Sequence, residues 1–513
     1  MNKKWYSIAG ALAMTLVASV AFPAVSSAGE EQGSVQASLV ESGSAAGREL
    51  RASGRLHGAG GMTCTATIIS PAADPDPGAR ALILAAGHCV NPSMATNEIV
   101  VDKPAPAGWN FTPAYFKDNA GEHRKFTVEQ ISYATMKNTD VAVLRISATY
   151  GELAAMQVKP KTLTDTPPSG AAIQVGHAPT DGVPAGEQYM RLSSCTAQAS
   201  GVSLHEGPWL WEGAVRTDCA GARGGSSGSA VTLVDEPGRI VAVLNTVASP
   251  DFLGCGRDRP CEGSTSGLEI PKDGTAYAVP VGAVASCLAL DGVDLRRPGC
   301  RLEAAPHVSL QFPAKTTRSH TSEGDVLWDV RVTGIDKVRT THTAFKVLPF
   351  GVGSCTDPSG YSTPRELGAE GTRSVHEGPL PTSDNLYVMC VAAGPGGSLS
   401  DPGWRESFAH PALAYTRVDN TSPTARPSVD VFETESDEGP ALQVTPQLAL
   451  WEINSYRVKY GQGTNVSCSN LAGYEEYIGF PALLEKSDGP WTYCLIGADY
   501  AGNQTPPAEF VLR

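Results

Sequence analysis

The sequence of 513 residues lacks several features that would point to particular classes of protein. It has no basic excess, because 39 Lys and Arg stand against 53 Asp and Glu, and a net charge of −14 argues against bulk-charge binding of nucleic acid or anionic membranes. It has no Cys-x-x-Cys motif, and its 10 histidines are scattered, which disfavours a zinc site. We therefore expect no metal and no other cofactor. Long helical periodicity is also scarce, which argues against helical and alternating βα folds.

Long apolar runs are missing as well, apart from residues 8–21. Lys3 and Lys4 precede this run, and small residues follow it up to Ala28, which predicts a secretory signal peptide over residues 1–28. A membrane anchor is the less favoured interpretation, because the run is short for a membrane span. We expect a secreted product without a membrane anchor, either extracellular or, in a Gram-negative cell, periplasmic.

The cysteine content is 12, an even number, and in a secreted chain this predicts disulfides. The sequence does not prove their pairing, but the local spacing favours neighbours along the chain. The favoured pairs are Cys64 with Cys89, Cys195 with Cys219, Cys255 with Cys261, Cys287 with Cys300, Cys355 with Cys390, and Cys468 with Cys494.

The length that remains after the signal peptide, about 485 residues, suggests roughly three domains. Residues 29–50 are small and polar, and we expect them to form a flexible leader or a short pro-segment. In residues 51–303, short β-type runs such as ATII at 66–69 and IVAVL at 240–244 are separated by Gly, Pro and Asp turns. This texture predicts an all-β barrel or sandwich.

The remaining 210 or so residues contain an internal repeat of roughly 100 residues. In the first copy FKV precedes Cys355 and a strand-like run contains Cys390, while in the second copy YRV precedes Cys468 and a similar run contains Cys494. Strands of this length with one cysteine pair per copy predict two β-sandwich domains, of immunoglobulin or fibronectin type, over residues 304–418 and 419–513. The predicted fold class is therefore all-β throughout.

Three short segments carry the residues of a nucleophilic site, in the chain order His, Asp, Ser. They are AAGHC at 85–89, NTDVAVL at 138–144 and GGSSGS at 224–229. A serine hydroxyl needs a base within hydrogen-bond reach, and the base needs a group that holds its tautomer. We predict Ser227 as nucleophile, His88 as general base and then acid, and Asp140 as the residue that orients it. The backbone N–H groups of Gly225 and Ser227 are predicted to form an oxyanion hole.

At these segments the chain resembles the trypsin- and chymotrypsin-like serine peptidases, and the resemblance covers residues of about 51 to 290. It implies a double β-barrel, with the active site between the barrels, that cleaves peptide bonds through an acyl-enzyme. Protein or peptide substrates are then the expected partners. The C-terminal domains are expected to act as spacers or to bind substrate or a cell surface.

The chain departs from the animal members of that family, because Ser226 stands where they carry an Asp before the nucleophile. The GSSGS form is more like that of bacterial members, including glutamyl endopeptidases. Residues 243–246 (VLNT) hold no histidine, so glutamyl specificity is not supported, and Gly221 near the base of the specificity pocket argues against a Lys/Arg preference there. A secreted binding or adhesion protein with an inactive peptidase-like scaffold is the alternative function, and a serine esterase is a weaker one.

Overall fold

The computed structural model describes residues 37–513, except residues 166, 168, 250–253, 313–315, 337, 369, 376–378 and 448–451. The predicted signal peptide and the first part of the predicted leader lie outside the described residues. The described chain is built mainly of β-strands, as the scarcity of helical periodicity predicts.

The first half of the peptidase-like region forms a β-barrel. Its apolar runs, such as the fully buried LILA at 82–85, line a common core because their strands pair antiparallel and curl into a closed ring. Pairing between Phe126–Thr135 and Val141–Thr149 closes the ring, and Ile99–Pro104 extends it as a seventh strand among the described residues. In order, its six strands are Phe126–Thr135, Asn110–Pro113, Ser53–His57, Thr63–Ile69, Arg80–Ala85 and Val141–Thr149.

A second ring of strands follows along the chain. Pairing between Ala172–His177 and the long strand Arg191–Glu206 closes it, and one apolar cluster that includes Val231 and Leu244 fills it. Its six strands are Ala172–His177, Ala230–Leu233, Arg239–Val247, Ala276–Pro280, Trp209–Thr217 and Arg191–Glu206, and the short strands Ser38–Leu39, Thr162–Leu163, Cys261–Ser264 and Gly267–Glu269 pair at its margins.

The described part of the predicted leader, residues 37–50, is folded. Ser38–Leu39 pairs with Arg191–Glu206, and the helix Ala45–Leu50 begins at Ser44, whose hydroxyl accepts the N–H of Gly47 as an N-cap. Leu50 is buried in an apolar cluster with Phe116 and Met190. The expectation of a flexible leader therefore does not describe residues 37–50.

Helices are short and occur between strands. The described α-helices are Ala45–Leu50, Tyr150–Ala155, Gly282–Cys287 and Arg405–Ala409, and the described 3₁₀ turns are Ala59–Gly61, Gly87–Cys89, Ala120–Glu122, Ala185–Glu187, Pro402–Trp404, Gly463–Asn465 and Lys486–Asp488. Within the described residues, none of the helices has the length and apolar character needed to cross a membrane.

Two further pairs of β-sheets follow the peptidase-like region, after the small hairpin Leu288–Ala289 and Gly292–Val293. In the first sheet pair, buried side chains of both sheets, such as Val332 and Val391, share one apolar core, so the sheets pack face to face. One sheet holds Val308–Gln311, Val330–Gly334 and Thr372–Val375, the other holds Thr316–Thr317, His342–Pro349, Arg365–Glu366, Asn385–Gly394 and Ala412–Val418, and a hairpin holds His320–Thr321 and Gly324–Asp325.

The second sheet pair has the same layered arrangement, with Leu442 of one sheet and Leu495 of the other in a common core. Its sheets hold Val429–Ser436, Gly439–Pro446 and Ala482–Glu485, and Glu475–Glu476, Ser455–Gln462, Trp491–Ala498 and Ala508–Leu512. The immunoglobulin- or fibronectin-like character of the two sheet pairs stays a prediction.

The structure joins the twelve cysteines in six disulfides, in the pairs that the spacing favours. Six disulfides are consistent with an extracellular protein. The bonds are Cys64–Cys89, Cys195–Cys219, Cys255–Cys261, Cys287–Cys300, Cys355–Cys390 and Cys468–Cys494.

Candidate active site

His88 and Asp140 are brought together by two neighbouring strands of the first barrel. His88 lies in the 3₁₀ turn after Arg80–Ala85, and Asp140 directly precedes Val141–Thr149. These strands pair antiparallel, so the end of one lies beside the start of the next. Gly87 allows the turn that carries His88 to pack closely against the neighbouring backbone, because a Cβ atom on Gly87 would lie 2.3 Å from the carbonyl oxygen of Thr135.

The two side chains form a close pair. Asp140 Oδ2 lies 2.7 Å from His88 Nδ1, and Asp140 Oδ1 accepts the backbone N–H of His88 at 2.9 Å. Asp140 is fully buried, whereas His88 keeps an exposed edge. Burial opposes the charged form of His88, but the charge and hydrogen bond of Asp140, together with the smaller effects of Glu206 and Asp258, outweigh it and raise the pKa of the imidazole above 6.5. The carboxylate thus holds the ring in one orientation and stabilises its protonated form.

Ser227 belongs to the second ring but lies against the first. Its carbonyl oxygen accepts the N–H of Thr65 at 2.9 Å. The next residue, Gly228, has a φ of +85°, and a Cβ atom there would lie 2.2 Å from the oxygen of Thr65 and 3.0 Å from the nitrogen of Ala86. The serine turn therefore contacts the segment that leads into His88, and a glycine is needed at that contact.

The hydroxyl of Ser227 donates to the carbonyl oxygen of Asn245 at 3.1 Å. Among the described residues, no hydrogen bond joins this hydroxyl to His88. In known enzymes the contact between a nucleophile and its base is often long or poorly aligned before substrate binds. The Cys64–Cys89 disulfide lies beside the site, since its sulfur atoms and a ring nitrogen of His88 are within 4.8 Å of one another. Because both sulfurs are bonded to each other, they are not available as metal ligands.

Asn245 is a residue of the site that our sequence reasoning missed. Its side-chain Nδ2 donates to the backbone carbonyl oxygen of Asp140 at 2.8 Å. The backbone carbonyl oxygen of Asn245 accepts the hydrogen bond from the hydroxyl of Ser227. It therefore links the acid and the serine across the two strand rings. The available signal was a polar side chain that interrupts the apolar strand Arg239–Val247.

The predicted oxyanion hole has a suitable local conformation. Gly225 has a φ of +92°, and a Cβ atom there would lie 2.7 Å from the hydroxyl of Thr180, so a larger residue does not fit. Within the described residues, the N–H groups of Gly225 and Ser227 donate to no protein acceptor, so both are free to bind an oxygen of a ligand.

The buried side chain of His177 also supports the serine turn, and sequence reasoning missed it. The hydroxyl of Ser226 lies 2.9 Å from Nδ1 of His177, and Nε2 of the same ring lies 3.0 Å from the hydroxyl of Ser193. His177 is buried, and burial, with a smaller contribution from Arg191, lowers its pKa to about 4. A neutral histidine that lies between two hydroxyls therefore supports the serine turn at Ser226.

Gly221, which the sequence places near the specificity pocket, and three other residues of the second ring have mainly structural contacts. Gly221 lies against Ala37 of the folded N-terminal segment, and Asp218 accepts the backbone N–H of Thr196 at 2.6 Å. Trp209 and Trp211 are buried and stacked, with ring centroids 6.1 Å apart. These tryptophans contribute to the core more than to an open groove.

Comparison with known families agrees with this geometry. Residues 64–243 match the family described as "Trypsin-like peptidase domain". The chain carries a trypsin-like peptidase domain. The match includes the segments of His88, Asp140 and Ser227 and ends within the strand that carries Asn245. It does not extend to the C-terminal sheet pairs.

Solved structures that are similar to this chain include serine proteases, all at low sequence identity. The thermostable serine protease AL20 from an extremophilic microorganism has 14% identity and a TM-score of 0.30, over 45% of this chain and 92% of its own. The protease Anisep from Arthrobacter nicotinovorans has 14% identity and a TM-score of 0.30, over 49% and 97%. A Glu endopeptidase solved with MPD has 18% identity and a TM-score of 0.24, over 45% and 84%. None of the curated proteins compared with the chain matches it.

Proposed function

We propose that this protein is a secreted serine endopeptidase that uses Ser227, His88 and Asp140. The observation that carries the proposal is the pair formed by His88 and the buried Asp140, with Nδ1 and Oδ2 2.7 Å apart, next to a serine in a glycine turn with two free N–H groups. Each part supplies one requirement of acyl transfer, namely a base, a nucleophile and a site for the developing oxyanion. The family match of residues 64–243 supports protein or peptide substrates.

In the proposed reaction, His88 takes the hydroxyl proton as Ser227 forms a bond to the substrate carbonyl carbon. The N–H groups of Gly225 and Ser227 bind the negative oxygen of the tetrahedral intermediate. His88 then gives its proton to the leaving amine as the peptide bond breaks, which leaves an acyl-enzyme. Water, activated by the same imidazole, releases the acid and restores the serine.

The test is labelling of the purified protein with a fluorophosphonate probe, followed by peptide mapping. We expect an adduct on Ser227 that is lost in His88→Ala, and a Ser227→Ala protein whose peptidase activity falls by a factor on the order of 10⁴ or more with its fold intact. Parent-level activity in Ser227→Ala would overturn the assignment.

The second candidate is a binding protein on an inactive peptidase-like scaffold. One observation favours it, namely that the hydroxyl of Ser227 bonds to the carbonyl of Asn245 and not to His88. This candidate would be supported if the correctly folded protein does not react with the fluorophosphonate probe, both before and after the predicted pro-segment is removed by cleavage near residue 50.

The pH dependence gives an independent prediction. The proposed base acts only when it is neutral, and Asp140 raises its pKa above 6.5, so activity should be lost as the pH falls through that raised value. In Asp140→Asn the stabilising charge is gone, so the midpoint of the residual activity should move to lower pH. A pH–rate profile of kcat/KM measures both values, and an unchanged midpoint would contradict the role of Asp140.

A further inference from the structure

We propose that Glu206 forms an acidic subsite beside His88 that binds a positively charged side chain of the substrate. This inference rests on the proposed peptidase function and specifies its substrate class. It concerns a position distinct from the uncharged pocket near Gly221.

Glu206 lies at the tip of a hairpin that packs against the loop after His88. It ends the strand Arg191–Glu206 and pairs with Trp209 at the start of the next strand. The indole N–H of Trp209 donates to the carbonyl of Met94 at 2.8 Å, and the hydroxyl of Thr96 donates to the carbonyl of Pro208 at 2.7 Å. The hairpin tip is therefore fixed to the segment that follows the catalytic histidine.

Only one of the two carboxylate oxygens of Glu206 has a located hydrogen-bond partner among the described residues. Its side chain is buried, with 5% of its surface exposed. Oε1 accepts the N–H of Asp258 at 3.0 Å, and the hydroxyl of Thr246 also hydrogen-bonds the carboxylate. Thr246 directly follows Asn245, whose carbonyl holds Ser227, so the contact connects Glu206 to the nucleophile's surroundings. Oε2 has no hydrogen-bond partner among the described residues.

Among the described residues, no lysine or arginine is one of the groups that influence the charge of Glu206. The titratable groups that act on it are His88 and Asp258, and burial is the main cause that raises its pKa to about 7. The nearby arginines are engaged elsewhere, because Arg257 stacks on Trp209 and donates to the carbonyl of Pro92, while Arg259 pairs with Asp273.

A buried carboxylate with a vacant oxygen is costly unless a partner completes it. Glu206 and Asp258 are two acids whose charges act on His88. Because no lysine or arginine acts on Glu206 among the described residues, this acidic position is complementary to a lysine or arginine side chain of a substrate. A bound cation would satisfy Oε2 and keep the carboxylate ionised. An acidic substrate side chain would meet like charge, so the subsite also selects against it.

The first experiment compares peptide series that carry lysine, norleucine or glutamate at each position around one scissile bond. Norleucine keeps the length of lysine without its charge. We expect the wild-type protein to prefer lysine over norleucine at one position by at least about tenfold in kcat/KM. In Glu206→Gln this ratio should fall below about threefold, while cleavage of the norleucine peptide and fluorophosphonate labelling are retained. The matched control is Glu236→Gln, because Glu236 is exposed and pairs with Arg239.

The second experiment measures binding without catalysis. In a Ser227→Ala background, calorimetry with the lysine and norleucine peptides should show tighter binding of lysine, and Glu206→Gln should abolish the difference. If the wild-type protein takes no label but this difference is present, the subsite stands and the peptidase proposal falls. Equal binding of the two peptides, or a lysine preference unchanged by Glu206→Gln, overturns the subsite.

Discussion

The two C-terminal sheet pairs share a local design but are attached to the rest of the molecule in different ways. In the first, the hydroxyl of Tyr361 donates to the carbonyl of Cys355 at 2.8 Å, and Lys346 lies 4.9 Å above the tyrosine ring. In the second, Tyr474 donates to Cys468 at 2.9 Å, and Lys459 lies 4.6 Å above the ring. The disulfide, tyrosine and lysine therefore form one repeated unit.

The first sheet pair shares a core with the peptidase domain. Leu210 of the peptidase hairpin is buried in the same apolar cluster as Phe350 and Leu386. The backbones also meet closely, since a Cβ atom on Gly263 would lie 2.5 Å from the ring of Phe350 and one on Gly351 would lie 2.3 Å from the oxygen of Gly263. A shared core of this kind makes the first sheet pair part of the peptidase unit.

The same sheet pair contacts the segments on either side of the candidate site. Asn97, in the loop after His88, donates to the carbonyl of Leu413 and accepts its N–H, both at 2.8 Å. Lys137, three residues before Asp140, donates to the carbonyl of His410 at 3.0 Å and pairs with Glu303 at 2.5 Å. The first sheet pair is thus placed to support both segments.

The second sheet pair has a polar attachment. Asn503 donates to the carbonyl of Asp419 at 2.9 Å, across the joint. Among the described residues, its apolar clusters contain only residues from Ala425 onward. It also displays large apolar side chains, with Ile478 76% and Phe480 73% exposed. The role of a spacer or binding unit stays a prediction for this sheet pair, whereas the first sheet pair shares a core with the peptidase domain.

The largest effect is expected at the buried Lys137–Glu303 pair. Burial lowers the pKa of Lys137 and raises that of Glu303, although each charge opposes the shift of the other. Glu303→Leu would leave a buried ammonium without its partner and should destabilise the protein by about 3–5 kcal/mol. Denaturant unfolding measures this. The double variant with Lys137→Met should recover most of the loss, and equal stability of single and double variants would contradict the pairing argument.

An intermediate effect is expected at Asn97. Asn97→Ala leaves the backbone N–H and carbonyl of Leu413 without their partner, which should cost about 1–3 kcal/mol. Because the loop lies after His88, kcat/KM should also fall while labelling of Ser227 remains possible. Asn97→Asp keeps the acceptor but not the donor and should be intermediate. Unchanged peptidase kinetics in Asn97→Ala would show that the first sheet pair does not support the site.

The smallest effect is expected at the joint of the second sheet pair. Asn503→Ala removes one hydrogen bond to Asp419 and should lower the stability of this sheet pair by about 1 kcal/mol. Peptidase kinetics should stay at the parent level, because no described contact connects this joint to the candidate site. Reduced kcat/KM in this variant would remove the distinction between the two sheet pairs.

Local patterns were sufficient for much of the fold. Apolar runs separated by turn residues predicted strands, and the even cysteine count with short spacings predicted disulfides. The motifs around His88, Asp140 and Ser227 located the segments that meet in the structure. The expectation of a flexible leader or short pro-segment over residues 29–50 differs from the structure in its described part, because Ser44 caps a helix, Leu50 packs in an apolar cluster and Ser38–Leu39 pairs with the second ring. The pro-segment stays a prediction.

The sequence by itself therefore determined the strand texture, the repeat and the chemical types of residue at the candidate site, since these depend on neighbours along the chain. Tertiary structure alone decided that Asn245 links Ser227 to Asp140, that His177 supports Ser226, and that the charges of Glu206 and His88 influence each other. It also decided which of two similar sheet pairs shares a core with the peptidase domain. The physical reason is that burial and hydrogen-bond partners are set by residues distant in the chain, which no local pattern records.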